Sequence, residues 1–350
     1  MSDILKKYVC LNPFRYLDVQ PDTQFICCPS WCPTDIQETD DIEQNWFSKT
    51  TADIRKSVTD GSYSHCNHKV CPSLSQLINT EQVPPNSSFI PIEEFHKKYD
   101  LENFKGLPEK LLFGFDKSCN LRCPSCRSQL VPNDSVESTE HKHKLDLLNA
   151  IEDKFSTSMQ TIMVTGSGDP IYSKLYRDYL INFDETKYPN FDHIHMITNG
   201  VLLNEKMWKK LKSKKFIKTM EVSIDAGTKE TYENVTRLNG DWDALMENLK
   251  FISKQTTIKY LACSMVISKY NYKEMETFYN LISDIFKNAP FTLSINFRQI
   301  VHWYSGAFSI KDISNLSVFD QEHPEFNNFL TELKKIHGKR NVDHNFHHLL

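Results

Sequence analysis

The sequence predicts an α/β protein whose parallel sheet is built from repeated strand–helix units. Between about residues 108 and 300, short apolar runs alternate with segments of helical periodicity. Strands that alternate with helices at this spacing are typical of βαβ units, in which successive strands run parallel. Six such units predict a partial (β/α)6 barrel of the TIM type, with its chemistry at the carboxyl ends of the strands.

The predicted elements follow one another in a regular order. The strands are expected at 111–115, 161–164, 194–197, 220–224, 261–267 and 291–297. The clearest helices lie between them, at 144–155, 206–211, 242–252 and 273–285. Apolar residues spaced three or four positions apart give each of these helices one face that can pack against a sheet.

Length, composition and charge exclude several functional classes for this protein. At 350 residues the chain can form one large domain with an appendage, or two domains. Its formal net charge of −4 gives no basic field of the kind that nucleic-acid-binding proteins use. No stretch approaches the ~20 apolar residues of a membrane helix, and the amino terminus carries no apolar signal core. We therefore expect a cytoplasmic protein without nucleic-acid or membrane partners, whose ten cysteines serve metals or catalysis.

Three cysteines stand close together just after the first predicted strand. Cys119, Cys123 and Cys126 have the spacing C-x3-C-x2-C. This spacing brings three thiolates toward one centre, as a face of a cubane iron–sulfur cluster requires. The run has no obvious fourth ligand, so one iron would keep the open coordination position that a catalytic metal centre needs. A zinc site or a chance group of thiols is the alternative when the motif is taken alone.

Polar and glycine-rich motifs follow the later strands. Those after the second, third and fourth strands read T-G-S-G-D-P, T-N-G and S-I-D-A-G. The candidate binding residues are Gly166, Gly168, Asp169, Thr198, Asn199, Ser223, Asp225 and Arg237, with Val266 at the end of the fifth strand.

Each of these motifs also has an ordinary structural interpretation. The run 166–170 is rich in the residues that form plain turns. Asp225 could cap the helix that begins near Thr228. Arg237 could lie on a solvated helix face.

In this order, the motifs resemble those of the radical S-adenosylmethionine (SAM) superfamily over about residues 108–300. The resemblance implies SAM and a SAM-binding 4Fe–4S cluster on the three cysteines. It implies that the glycine-rich turn and Asp169 hold the SAM ammonium group, and that the turn with Thr198 and Asn199 lies near the ribose. Ser223 would contact SAM, Arg237 would pair with its carboxylate, and Val266 would lie near the adenine.

One position departs from the superfamily pattern. Ser125 stands where an aromatic residue usually precedes the third cysteine and packs on the adenine. We expect Phe115 or a nearby aromatic residue to take that role.

The first 75 residues hold six further cysteines. They resemble the SPASM or twitch extension of radical SAM enzymes, although such extensions usually follow the barrel. The resemblance implies one fully ligated auxiliary 4Fe–4S cluster, and a four-cysteine zinc site is the alternative. The expected ligands are Cys10, Cys28, Cys66 and Cys71, with Cys27 close behind Cys28 and Cys32 without a clear place.

The predicted organisation has four segments. They are a small cysteine-rich cluster-binding extension (1–75), a connector (76–107), the partial barrel (108–305) and a C-terminal helix and tail (306–350). Prolines in the run 84–91 are expected to break any regular element there. Cys263 lies in an apolar strand and is expected in the core. The histidines show no metal-ligand spacing, and the tail from His337 to Leu350 is expected mostly at the surface.

The resemblance implies an enzyme that cleaves SAM to a 5′-deoxyadenosyl radical and removes hydrogen from a substrate carbon. An auxiliary cluster favours oxidation or epimerisation, and the short connector favours a small, sugar-like molecule over a peptide. Peptide or protein modification is the alternative, and a non-catalytic iron–sulfur carrier or a zinc-binding module is the rival from another class. The expected electron donor is a flavodoxin or ferredoxin. No catalytic residue is assigned, but candidate substrate contacts after the last strand are Arg298, His302, Trp303 and Tyr304.

Overall fold

The computed structural model describes residues 3–85, 87–165, 167–301 and 308–350. Two compact units make up the fold. The first contains the ranges Met1–Asp116, Thr139–Gly166 and Glu185–Asp192, and the second contains Lys117–Ser138, Ser167–Asp184 and His193–Leu350. The predicted segment boundaries at 75, 107 and 305 do not coincide with these ranges and stay a prediction.

The first unit is built on six short strands. They are β1 (Tyr8–Cys10), β2 (Tyr16–Val19), β3 (Gln24–Phe25), β4 (Phe89–Pro91), β5 (Lys110–Phe113) and β6 (Thr161–Val164). β1 and β4 form a two-stranded antiparallel sheet. β2 pairs antiparallel with β3 and parallel with β5, which pairs parallel with β6. Two of the predicted strands are thereby confirmed as β5 and β6.

Helices are more numerous in this unit than the sequence predicted. They are α1 (Asn12–Arg15), α2 (Ile42–Trp46), α3 (Lys49–Thr59), α4 (Pro72–Thr80), α5 (Ile92–Lys98) and α6 (Thr139–Phe155). The connector is not without structure, because β4 and α5 both lie in it. Pro91 is accommodated since it ends a short strand that pairs with β1.

One apolar core joins the cysteine-rich region to the connector. Val9, Phe14, Leu77, Phe89 and Phe95 are all buried in it. The rings of Phe14 and Phe95 lie 4.9 Å apart. Because these side chains come from both predicted segments, the connector contributes to the packing around the N-terminal cysteines.

Among the described residues, the second unit contributes five parallel strands. Its strands are β7 (His193–Thr198), β8 (Ile217–Ser223), β9 (Tyr260–Ile267), β10 (Thr292–Gln299) and β11 (Val342–His344). Each strand pairs parallel with the next in this order. The four predicted strands of this region are confirmed as β7 to β10, and Cys263 is fully buried in β9 as expected.

Helices and one π-helical turn complete this unit. The helices are α7 (Lys174–Asn182), α8 (Glu205–Lys210), α9 (Lys229–Thr231), α10 (Trp242–Ile252), α11 (Met275–Ile285), α12 (Ile310–Leu316) and α13 (Phe326–Ile336). The π-helical turn spans Tyr232–Thr236. Among the predicted helices, 242–252 coincides with α10, and the others shift by a few residues.

The C-terminal tail lies mostly at the surface, as predicted, although two of its side chains are buried. β11 extends the sheet, and the side chains of His344 and Phe346 are 3% and 0% exposed. A three-residue strand is too short to show periodicity in the sequence, which explains why β11 was not predicted. Within the described residues, none of the helices has the length and hydropathy that a bilayer-spanning segment needs.

We expect Phe297→Ala to lower the free energy of unfolding by about 3–5 kcal/mol. The ring is fully buried in β10 and lies 5.8 Å from the ring of Phe278 in α11. The control is Ile310→Ala at the start of α12, where the side chain is 72% exposed. It should change the stability by less than about 0.5 kcal/mol. Urea unfolding followed by near-ultraviolet circular dichroism compares the variants, and equally small effects would contradict this packing.

Candidate active site

The loop after β5 brings three cysteines together. Cys119 and Cys123 are buried and pack with Leu121, while Cys126 is half-buried against them. The amide of Cys119 donates to the carbonyl of Val131 at 2.9 Å. The amide of Cys126 donates to the carbonyl of Cys123 at 2.9 Å, which closes a tight turn between these two ligand candidates. The loop is therefore held by its own backbone.

A nitrogen donor approaches each of the three sulfur atoms. The pairs are Asn199 Nδ2 with Cys119 Sγ at 3.8 Å, Arg237 Nη1 with Cys123 Sγ at 3.3 Å, and Arg127 Nη2 with Cys126 Sγ at 3.5 Å. Two of these donors are guanidinium groups, whose positive charge stabilises thiolates. Burial raises the pKa of Cys119 to about 12, so a metal centre must displace a proton when it binds there. Nitrogen donors around three convergent thiols fit a thiolate-ligated, anionic cluster.

Arg237 is buried and paired with Asp225. Its Nη2 lies 2.7 Å from Asp225 Oδ2, and the two side chains are 11% and 6% exposed. Burial alone would lower the pKa of Arg237, but the neighbouring Asp225 raises it above its ordinary value, so the guanidinium stays charged. The alternative of a solvated surface arginine is therefore wrong. Helix α9 is capped by Thr228, whose side chain accepts from the amide of Thr231, so Asp225 is not the cap.

The π-helical turn directs Arg237 toward the cysteine loop. The amide of Arg237 donates to the carbonyl of Tyr232 at 2.8 Å, an i→i+5 bond. π-Helical turns are rare in proteins overall. Those that do occur are often found at functional sites. Within the described part of the chain, Arg237 Nε and the Tyr232 hydroxyl are buried without hydrogen-bond partners. Unsatisfied buried donors are uncommon in proteins, and an ordered water or a polar group of a ligand would satisfy these two.

The turn after β7 places Thr198 and Asn199 beside the cysteine loop. Gly200 has φ of +79°, a conformation that favours glycine. Asn248 of α10 donates to the carbonyls of Gly200 and Val201 at 2.9 and 2.8 Å. Asn199 donates to Asn120 Oδ1 at 2.9 Å. This turn is fixed from both sides, so Asn199 is held toward Cys119.

A pocket of about 320 Å³ adjoins the cysteine loop and the ends of β8 and β9. Asn271 donates to the carbonyls of Asp225 and Val266 at 2.9 and 2.8 Å and so joins these two strand ends. The residues that line the pocket include Ser125, Asp225, Val266, Tyr270, Asn271 and Phe308.

Comparison with known proteins identifies this region. Residues 117–282 match the family model of the Radical SAM superfamily. This range is therefore similar to the radical SAM domain. The matched range begins at the cysteine loop and ends in α11, so it contains the three cysteines, the Asn-Gly turn and the buried ion pair.

Solved structures also match this chain at low sequence identity. A structure of TYW1 with a lysine-pyruvate adduct bound matches at 14% identity with a TM-score of 0.38, over 65% of this chain and 73% of that chain. Native anSMEcpe with bound AdoMet matches at 16% identity with a TM-score of 0.40, over 58% of this chain and 57% of that chain. The chain thus spans little more than half the length of the second of these proteins. No curated protein sequence matches it significantly.

Asp169 has a different environment from the one that the radical SAM resemblance implied. Its carboxylate accepts four hydrogen bonds, which fill its acceptor capacity. The donors are the amides of Ile171, Tyr172 and Asn199, each at 3.0 Å, and the Thr198 hydroxyl at 2.7 Å. The carboxylate therefore ties its own turn to the turn after β7, and its geometry does not support a contact with the SAM ammonium group.

The remaining predicted residues of the radical SAM domain fall into three groups. Ser223 ends β8, with its hydroxyl 3.5 Å from that of Ser264, and Val266 lines the pocket. Tyr270 and Phe308 supply the aromatic surface that Ser125 lacks, whereas Phe115 packs against Phe113 in the first unit. The sequence did not single out either of these two aromatic residues. Gly166, His302, Trp303 and Tyr304 lie outside the described residues.

A second cysteine cluster lies in the first unit. Five cysteines line one pocket of about 750 Å³, and they are Cys10, Cys27, Cys32, Cys66 and Cys71. Asn12 Nδ2 approaches Cys27 Sγ at 3.7 Å. A hydrogen bond with Cys66 lowers the pKa of Cys32. Among the described residues, none of the cysteines forms a disulfide bond.

The preferred choice of Cys28 as a cluster ligand is not supported by this geometry. Cys28 does not line the pocket, whereas Cys27 and Cys32 both do. The amide of Cys32 donates to the carbonyl of Cys28 at 2.9 Å, and this helical turn carries Cys32 back to the pocket.

We expect Asp169→Asn to lower the stability of the protein by about 1–3 kcal/mol, because an amide nitrogen would face backbone donors. The control is Asp178→Asn, which removes an exposed ion pair with Lys174 at 3.2 Å. It should cost less than about 0.5 kcal/mol. Thermal unfolding of the protein compares the two variants.

A different result would restore the role implied by the resemblance. If Asp169→Asn unfolded like the wild type and bound SAM more weakly, its carboxylate would be a SAM ligand.

Proposed function

We propose that this protein is a radical SAM enzyme that uses Cys119, Cys123 and Cys126 to hold a SAM-binding 4Fe–4S cluster. The observation that supports this most strongly is the nitrogen donor at each sulfur, two of the three donors being charged arginines. Three thiolates leave one iron without a protein ligand. When bound, the cluster supplies an electron that splits SAM into methionine and a 5′-deoxyadenosyl radical, which removes hydrogen from the substrate.

The residues around the pocket would orient SAM. Arg237 is fixed by Asp225 and has a buried Nε without a partner in the described chain, which suits it to donate to the carboxylate of SAM. Val266, Tyr270 and Phe308 provide an apolar and aromatic surface for the adenine. Ser223 adds a half-buried hydroxyl at the end of β8. Together these groups would hold SAM in one orientation, as hydrogen abstraction near contact distance requires.

We also propose that the five-cysteine pocket of the first unit binds an auxiliary 4Fe–4S cluster. Full ligation of one such cluster needs four thiolates, and five are available. Such a cluster supplies an electron acceptor when bound, which favours a net two-electron oxidation of the substrate over a redox-neutral epimerisation. A four-cysteine zinc site is the alternative occupant.

The substrate and the electron donor are proposed from the sequence. We propose a small, sugar-like molecule as the substrate, with peptide modification as the alternative, and a flavodoxin or ferredoxin as the reductant. Arg298 is the candidate substrate contact that the structure describes. Its Nη2 lies 2.7 Å from Asp343, so its charge is already compensated and a neutral substrate suits it better than an acid.

Two sets of alanine variants test the proposed clusters separately. After anaerobic reconstitution, we expect about eight irons per wild-type chain and formation of 5′-deoxyadenosine on addition of dithionite and SAM. Cys119/Cys123/Cys126→Ala should retain about four irons and lose SAM cleavage. Cys10/Cys66/Cys71→Ala should also retain about four irons but still cleave SAM.

Other outcomes would reject parts of the proposal. Zinc that is present in the wild type and in Cys119/Cys123/Cys126→Ala, but absent from Cys10/Cys66/Cys71→Ala, would identify the five-cysteine pocket as a zinc site. Two bound clusters without any SAM cleavage would indicate that the protein is an iron–sulfur carrier and not a radical SAM enzyme.

A further inference from the structure

Three histidines of the C-terminal segment converge in the second unit, although the sequence shows no metal-ligand spacing among them. We propose that His337, His344 and His347 form a binding site for one divalent transition-metal ion, with Zn²⁺ as the best match. His337 caps the end of α13, His344 ends β11, and His347 begins a single 3₁₀ turn, His347–Leu349. The expectation that the histidines are scattered is therefore wrong for these three.

The ring nitrogens are close enough to share one ion. Among the described residues, these histidines are the one set of three metal-ligating side chains whose ligand atoms all lie within 4.8 Å of one another. His337 Nδ1 lies 3.0 Å from His344 Nε2. The rings of His344 and His347 are stacked with their centroids 4.2 Å apart.

Zinc coordination needs only a small movement from this arrangement. Zn–N bonds of about 2.0–2.1 Å in a tetrahedron place the nitrogens about 3.3 Å apart. His337 and His344 already satisfy that spacing, and the exposed side chain of His347 can turn toward them. Imidazole ligands suit zinc and its neighbours among the transition metals, and three of them leave a fourth position for water.

Binding has two local costs. The first is the hydrogen bond between His337 Nδ1 and His344 Nε2, which the ion would replace. The second concerns the amide of Phe346, which donates to His344 Nδ1 at 3.3 Å. Coordination through Nε2 moves the ring proton to Nδ1, so this hydrogen bond is lost. Because 3.3 Å is at the long end of hydrogen-bond distances, we expect the loss to be small compared with three metal–nitrogen bonds.

The site would fasten the terminal strand of the sheet. β11 pairs with β10 over three residues and lies at one end of the strand order. A bound ion would connect the end of α13, the end of β11 and the last turn of the chain. This role is structural and independent of the proposed radical chemistry.

The test uses the cluster-loaded protein, so that the cysteines are occupied, and Zn²⁺ alone as the probe. Under anaerobic conditions, Zn²⁺ is titrated in competition with a chromophoric chelator. We expect one ion per wild-type chain, and an affinity at least about tenfold lower for His337→Gln and His347→Gln. His348→Gln is the matched control, because this histidine is exposed, lies in the same turn and is not part of the cluster.

Stability and spectroscopy give independent measurements. Zn²⁺ should raise the unfolding temperature of the wild type and of His348→Gln, but not of His347→Gln. Co²⁺ in place of Zn²⁺ should give a visible spectrum of nitrogen ligands without a thiolate charge-transfer band. Equal affinity of all variants for Zn²⁺, or no saturable binding, would overturn the proposal.

Discussion

The buried ion pair between Asp225 and Arg237 is the interaction on which the geometry of the radical SAM domain depends. One Asp225 oxygen accepts from the amide of Val266 at 2.8 Å, and the other holds Arg237 at 2.7 Å. Arg237 in turn reaches the sulfur of Cys123 at 3.3 Å. A single carboxylate thus connects the ends of β8 and β9 with the cysteine loop. Because a buried charge without its partner is strongly unfavourable, these parts are held together as a set.

Neighbouring residues support this pair in its unusual conformation. Asp225 has φ of +62°, which is uncommon for a residue other than glycine. Just beyond it, Glu274 accepts from the amide of Gly227 at 2.7 Å and from the hydroxyls of Thr228 and Thr231 at 2.8 and 2.5 Å. These bonds fix the segment that leads from β8 into the π-helical turn. The strain at Asp225 is therefore offset by its surroundings, as is typical of functional sites.

The positive charges near the cysteine loop have a chemical consequence. Arg127 and Arg237 each donate to a sulfur, and Arg127 Nη1 also donates to the carbonyl of Lys117 at 2.8 Å. Hydrogen bonds and charge around the sulfurs are among the factors that set the reduction potential of an iron–sulfur cluster. Both guanidinium groups are anchored by other contacts, so they stay in place whichever electron state a cluster adopts.

The sequence predicted the parallel strands and the three-cysteine group well, because buried strands are short apolar runs and the cysteines are neighbours in the chain. It did not predict how Asp169 and Arg237 use their hydrogen bonds, since both partners come from distant turns. The choice among Cys27, Cys28 and Cys32 depends on the direction of each side chain, which spacing alone does not determine. Short elements such as β1, β4 and β11 depend on tertiary pairing and leave no periodic pattern.

We propose that one iron beside Cys119, Cys123 and Cys126 stays open to SAM. The most direct test is electron–nuclear double resonance on the dithionite-reduced protein with SAM labelled with ¹⁵N in the amino group or ¹⁷O in the carboxylate. We predict hyperfine coupling from both labels to the cluster in the wild type. SAM that binds to the reduced protein without coupling from either label would contradict the account.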